Sequence, residues 1–242
     1  MRDRPDYGID APRALAGYVA LGVILLGLGI AFTVLGTRAF GARLLRQGVW
    51  MGPVLLLGGA FHLWGSKVGK VREAARLIDA IPWKGDERVL DVGCGRGLLL
   101  IEAAGRVPGG RAVGIDIWSA KDQSGNRPEA TRHNAELAAV SDRVDVLDGD
   151  ARALPFPDAS FDVVVSSAVL HNLHDRAGRR RALREIVRVL RPGRGLAILD
   201  ILHTGQYAHE LAALGMDEVA LSAPRPLWLF PARTVTAEKP RD

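Results

Sequence analysis

The sequence predicts an α/β protein: a doubly wound, mostly parallel seven-stranded sheet preceded by a transmembrane helical hairpin. Three observations predict it. From Val89 onward, short apolar runs ending in acidic residues alternate with helical patterns, the signature of strands and covering helices in a parallel sheet. The first run turns directly into Gly93-Cys94-Gly95-Arg96-Gly97, a strand-to-helix turn. Ahead of it lie two apolar runs whose length matches a bilayer. The chain therefore divides into a membrane region, residues 1–66, and a catalytic-type domain, residues 67–242.

Residues 14–37 contain no ionisable side chain except Tyr18 over 24 positions. A helix of that length reaches roughly 36 Å against a hydrocarbon core of about 30 Å. Residues 47–66 are uncharged apart from His62, with Trp50 and Trp64 near the two ends, where interfacial aromatics sit. Pro53 is expected in the first helical turn, where a missing N–H costs little. A secretory signal fits the first run poorly, because the run is too long and lacks a small-residue cleavage site. Lys67, Lys70, Arg72 and Arg76 after the second run favour a catalytic domain facing the cytoplasm. Arg38, Arg43 and Arg46 in the connector oppose that orientation if both runs cross. A single span, with 39–66 lying along the inner interface, is the alternative.

Beyond Lys67 an amphipathic helix is expected, since Val68, Val71, Ala74, Ala75, Leu77 and Ile78 recur on one face. Strands follow at 89–92, 112–116, 144–147, 161–167 and 196–200. Helices are expected at 98–104, 129–139, 179–190 and 206–214. The stretches 216–221 and 227–236 read as a closing antiparallel pair.

The glycine turn carries the chemistry. Glycines at alternate positions tolerate φ > 0 and remove Cβ atoms that would hold a ligand off the backbone. The turn is expected to aim free N–H groups of the next helix at an anionic group. Nineteen residues past Gly97, Asp116 ends the second strand, placed to accept hydrogen bonds from ribose hydroxyls. Asp150, after the third strand, could accept from an adenine amino group. The G-x-G-x-G spacing departs from the G-x-G-x-x-G of dinucleotide sites. Asp91, two residues before the first glycine, would repel a pyrophosphate yet suits ammonium and sulfonium charge.

With these pieces in view, residues 67–240 resemble a class I S-adenosylmethionine-dependent methyltransferase, similar to the bacterial ubiquinone/menaquinone C-methyltransferases. The resemblance rests on LDVGCGRG, VGID, GDARALPFPDASFDVVVSS and LREIVRVLRPGRGLAILD. It implies S-adenosyl-L-methionine as cofactor. Asp91, Gly93, Cys94, Gly95 and Gly97 would line its methionine part. Asp116 would hold the ribose, with Ile117 and Trp118 beside the adenine and Asp150 and Ala151 at the adenine edge. Ser167 and its neighbours up to His171 would sit near the transferable methyl. His171 and His203, each following a strand at the carboxyl edge, are the candidate general bases, with His174 third. Tyr207 and Trp118 are expected as walls, and the polar loop 119–126 as a cover.

Composition bounds the rest. A net charge of +5 and a sequence pI of about 9.8 admit a nucleic-acid partner, but the arginines are scattered without interleaved aromatics. An anionic membrane surface fits better, and no nucleic acid is expected. The single cysteine, Cys94, excludes an intrachain disulfide and a Cys-rich metal site; it reads as a small filler within the turn. His171 and His174 read as a helix start, and no metal is expected. The partners expected are the membrane and a small, hydrophobic or lipid-soluble methyl acceptor. A cofactor-binding protein without turnover and a nicotinamide-dependent oxidoreductase are the alternatives.

Overall fold

The computed structural model describes residues 4–35, 42–227 and 230–241. Strand β1 (Arg88–Val92) is followed by helix α5 (Leu98–Arg106), β2 (Arg111–Asp116), α6 (Pro128–Leu137), β3 (Val144–Asp148) and β4 (Phe161–Ser167). Then come α7 (Arg176–Val189), β5 (Leu190–Asp200), α8 (Thr204–Ala213), β6 (Asp217–Leu221), β7 (Arg225–Pro226) and β8 (Pro231–Glu238). The sheet order is β3-β2-β1-β4-β5-β8-β6, with β8 antiparallel to its neighbours. Seven strands form the path, as expected, and the two-residue β7 pairs with β8 beside it. The closing strand begins at Pro231 rather than 227; Trp228 and Leu229 lie outside the described residues. β5 begins earlier than expected, because Leu190 pairs with Phe161 before a register shift resumes pairing at Gly195.

Alternation along the strands builds both layers. Val89, Val163, Val165, Ala197 and Leu199 pack with α5 and with α4 (Lys70–Asp79) on one face. Leu90, Val92, Val164, Leu196 and Ile198 pack with α7 and α8 on the other. β1 lies between β2 and β4, and the chain switches direction across the sheet there. In open α/β sheets that switch point opens a crevice at the strands' carboxyl ends.

The N-terminal part is a helical hairpin: α1 (Pro12–Val34), then a short α2 (Ala42–Arg46) and α3 (Gly48–Trp64). Among the described residues, one helix is long and apolar enough to cross a membrane, namely α1. The second run of 47–66 gives only 17 residues of α-helix, because the backbone widens into a π-turn at Gly65–Gly69. Pro53 lies inside α3, not in its first turn. The helix starts at Gly48, close behind α2, so position 53 is already past the four N-terminal amides that lack intrahelical acceptors. The 38–41 part of the connector, Arg38 included, lies outside the described residues.

Glycines set how closely the hairpin packs. A Cβ on Gly48 would come within 2.0 Å of the Leu25 carbonyl oxygen, and one on Gly29 within 2.3 Å of the Val49 nitrogen. Gly52 would press on Leu26 and on the Gly22 carbonyl. Such small-residue contacts are how helices associate where apolar burial gives no drive. The outward faces remain apolar: Val23, Ile24, Val34, Leu35, Val54 and Leu57 are all more than half exposed.

The hairpin is not appended through a linker. α3, the π-turn and α4 follow without a break, so residues 48–79 form one helical rod, and the expected boundary at 66/67 falls inside it. Substituting Leu for Gly52 should overpack the hairpin at a cost of about 1–3 kcal/mol. A lowered unfolding midpoint of the detergent-solubilised protein, with Gly17→Leu as the control in open space, checks this.

Candidate functional site

At the carboxyl ends of β1, β2 and β4 lies a cavity of about 550 Å³, within the usual range for small-molecule sites. Asp91, Gly93, Cys94, Gly95, Asp116, Ile117, Asp150, Ala151, Ser167 and His171 all line it. Gly97, Trp118 and His203 do not. His203 is exposed with φ 61° just ahead of α8, on the outside of the turn after β5. Trp118 turns its indole N–H to Asp148 and packs against the core, outside the cavity lining, so it is not a wall of the cavity.

The glycine turn is locked from several sides. The Gly93 and Cys94 N–H groups both donate to the Ile115 carbonyl, at 2.7 and 3.1 Å. Gly95 N–H donates to Asp116 Oδ2 at 2.8 Å, Arg96 N–H to Gln123 Oε1 at 2.9 Å, and Gly97 N–H to the Cys94 carbonyl at 2.8 Å. All five amides of 93–97 thus have protein acceptors, so the turn itself, as distinct from the first turn of α5, presents no free N–H group. The missing Cβ atoms are also used internally. A Cβ on Gly93 would come within 2.3 Å of Val169, and one on Gly97 within 2.9 Å of Thr131. The glycines serve close packing and positive φ (75° at Gly93, 87° at Gly97) more than ligand approach.

Three carboxylates sit differently around the cavity. Asp91 is 2% exposed, and its Oδ2 is buried with no hydrogen-bond partner. Burial pushes its carboxyl up to about 8, with Asp116 nearby adding to this and a Leu100 N–H opposing it. Asp116 accepts from Gly95 N–H, from Trp118 N–H at 2.6 Å and from Asn126 Nδ2 at 3.2 Å. It therefore shapes the turn as well as facing the cavity. Asp150 is gripped by the Arg152 guanidinium, which holds its carboxyl below the ordinary range. Cys94 is buried, and burial raises its thiol well above the usual value, so it is a filler of the turn. Among the described residues no group of three or more His, Cys, Asp or Glu side chains could hold a metal ion.

Two features were not legible in the motifs. The first is a pair: His171 Nδ1 lies 2.5 Å from Asp200 Oδ1, and Asp200 Oδ2 accepts from the His171 backbone N–H and the Tyr207 hydroxyl. Tyr207 is fully buried, so it supports Asp200 and is not a cavity wall. Asp175, beside His174, caps α7 through the Gly178 N–H.

The second feature is a strap. Residues 6–11, ahead of α1, cross the glycine turn. Lys70 Nζ donates to the Tyr7 carbonyl (2.6 Å), the Gly8 carbonyl and Asp10 Oδ1 (3.1 Å). Gln123 Nε2 donates to the Tyr7 carbonyl, Ile9 N–H to Ser124 Oγ, and Ser124 N–H back to the Ile9 carbonyl. The loop 119–126 does cover the cavity, and the strap holds it there. Asp10, Ala11, Arg13, Ala14, Tyr18, His62 and Phe230 also line the cavity.

Comparison with known proteins agrees with this geometry. Residues 90–198 match the family model described as a methyltransferase domain. The 27-O-demethylrifamycin SV methyltransferase of Amycolatopsis mediterranei is 37% identical over 144 residues, covering 57% of this chain and 49% of its own. The ubiquinone/menaquinone biosynthesis C-methyltransferase of Roseobacter denitrificans is 34% identical over 124 residues, 51% and 46% of the two chains. The chain thus spans about half the length of the curated relatives it matches. Among solved structures, the [4+2]-cyclase SpnF superposes with a TM-score of 0.61 at 20% identity, over 73% of this chain and 84% of that one. An S-adenosylmethionine-dependent methyltransferase from Aquifex aeolicus gives 0.53 at 18%, over 70% and 96%. The matched residues read as a methyltransferase domain, and the Aquifex aeolicus protein is named for its dependence on S-adenosylmethionine.

The residues present fit that cofactor. An ammonium would satisfy the unpartnered Asp91 oxygen, whereas a pyrophosphate would face Asp91, Asp116 and Asp150 together. Because the carboxylate is the binding form and the free carboxyl titrates near 8, affinity should fall as pH drops below that value. Calorimetry with S-adenosylhomocysteine should show binding strengthening between pH 6 and 8, by up to about tenfold per unit. Asp91→Asn should bind weakly and lose that dependence.

Proposed function

We propose that this protein is a membrane-associated methyltransferase that moves the methyl group of S-adenosylmethionine to a small, lipid-soluble acceptor. The observation that carries the proposal is that one cavity is lined both by Asp91, with a buried unpartnered carboxylate oxygen, and by His171, which Asp200 backs from outside the cavity. A pocket for a cation and a candidate base face the same space.

Asp91 would hold the ammonium end of the cofactor, Asp116 the ribose, and Asp150 with Ala151 the adenine edge. When bound, S-adenosylmethionine supplies a methyl group on a sulfonium, a leaving group already activated. The chain's own share is then positioning, exclusion of water and the handling of one proton. Asp200 accepts from Nδ1–H of His171, which fixes the tautomer and leaves Nε2 as the basic nitrogen. Nε2 takes the proton of an acceptor hydroxyl or enol, and Asp200 stabilises the imidazolium that results. Asp200 is a positioning residue, itself held by Tyr207.

Membrane association rests on α1 and α3. Their outward apolar faces would be an unusually large exposed patch on a protein in water. α1 spans roughly 34 Å, and an 18-residue stretch of it has a mean hydropathy of 2.3. The strap ties the start of α1 to the catalytic layer, and α3 returns to that layer through α4. Residues 4–11, 65–227 and 230–241 therefore lie on one side of the hairpin, which we assign to the cytoplasm because the cofactor is made there and Lys67, Arg72 and Arg76 are there. The relatives named for quinone biosynthesis and rifamycin support a hydroxylated or quinonoid ring as acceptor. A binding protein without methyl transfer remains a second reading, favoured by the likeness to a cyclase, since this fold hosts more than one chemistry.

Labelled S-adenosylmethionine supplied to the enzyme with native membranes tests the proposal. Label in the organic phase is expected; label in precipitated protein, or none transferred, overturns it. His171→Ala should lower kcat by roughly 10²–10⁴ with cofactor affinity little changed. Asp200→Asn should lower kcat without raising the cofactor KM, and Asp200→Glu should recover part of the loss.

A further inference from the structure

His62 is the one titratable side chain of an otherwise uncharged apolar run, and it is 7% exposed. A buried polar ring of this kind is costly unless its nitrogens find partners. Its Nε2 lies 2.7 Å from the Asp10 carbonyl oxygen. A carbonyl can only accept, so Nε2 carries the proton, and in the neutral ring Nδ1 is an acceptor. The Tyr18 ring of α1 stands 6.2 Å away, tilted by 50°. Both side chains line the same cavity as Asp91 and His171, although they belong to the hairpin and not to the sheet.

The cavity thus has two chemical ends. At the sheet, carboxylates and the glycine turn suit the cofactor. At the hairpin, Ala11 just ahead of α1, Ala14 and Tyr18 on it, His62 on α3 and Phe230 ahead of β8 make a mostly apolar mouth beside the charged Asp10 and Arg13, with His62 Nδ1 as an acceptor nitrogen. Phe230 is 54% exposed, and the outward faces of α1 and α3 begin at this mouth. We propose that this hairpin lobe is the acceptor site. It takes an amphiphile that enters sideways from the bilayer, its tail lying along α1 and α3 and a hydroxyl on its head donating to His62 Nδ1. The proposal rests on the methyltransferase reading above and adds to it a place, a route and a recognising residue.

The full chain in liposomes made from native-membrane lipid extract provides the test, with labelled S-adenosylmethionine as donor. Ala14→Trp narrows the lobe, and His62→Phe removes the acceptor nitrogen while keeping a planar ring of similar size. Each should cut label in the organic phase by roughly tenfold or more, as misplacement of a reactant does. Binding of S-adenosylhomocysteine should change less than about twofold, the expectation for a residue without cofactor contact. Undiminished organic label in both variants overturns the proposal, as does loss of cofactor binding alongside activity. Faster labelling of a soluble extract than of the lipid extract overturns the membrane route. If the wild-type chain itself places no label in the organic phase, the methyltransferase reading has failed, and this inference with it.

Discussion

The arrangement depends on one buried ammonium. Lys70, 5% exposed on the first turn of α4, donates to two strap carbonyls and pairs with Asp10. Burial pulls its pKa down, and Asp10 works against that. Removing an ammonium from water costs several kcal/mol, which only close charge and well-placed acceptors offset. Lys70 therefore requires residues 7–10 to be where they are. With the strap fixed, the start of α1 is fixed at the cavity rim, and through α1 the glycine contacts position α3. The rod of residues 48–79 then carries α3 back to the same lysine, closing a mechanical circuit.

Much of the sheet was readable because strand periodicity and acid-ended runs are local signals. Asp91, Asp116 and Asp150 lie around one cavity because parallel strands in sequence order put their carboxyl ends on one edge. Residues remote in sequence were less legible. Asp200 is the last residue of an apolar strand adjacent to β4, so its place at the edge near His171 was implicit in the order of strands. The contact itself depends on a tight turn after β4, where Ala168 has φ 57°. The strap carries no motif; its role comes from partners more than fifty residues away. Pro53 lies beyond the first turn of α3; a run bounded by charges locates the apolar residues, not the residue at which the helix begins.

The glycine turn shows a motif being right for a different reason. Its residues lie where the resemblance puts them, but their amides and their empty Cβ positions serve the protein's own packing. Val169, Gln123 and Thr131 occupy the space that glycine leaves. What remains for a ligand is the rim: an unpartnered carboxylate oxygen, two further acids and the imidazole beyond them. Recognition of the cofactor thus lies more in side-chain charge than in the loop backbone.

The continuous rod of residues 48–79 also limits how the molecule can be divided. Cutting at 67 would sever a helix within its widened turn, remove the roof over the glycine loop and leave the Lys70 ammonium facing vacated space. The apolar hairpin is consequently no detachable anchor. It supplies one side of the cavity through Ala14, Tyr18 and His62, and another segment could not take its place without rebuilding that side.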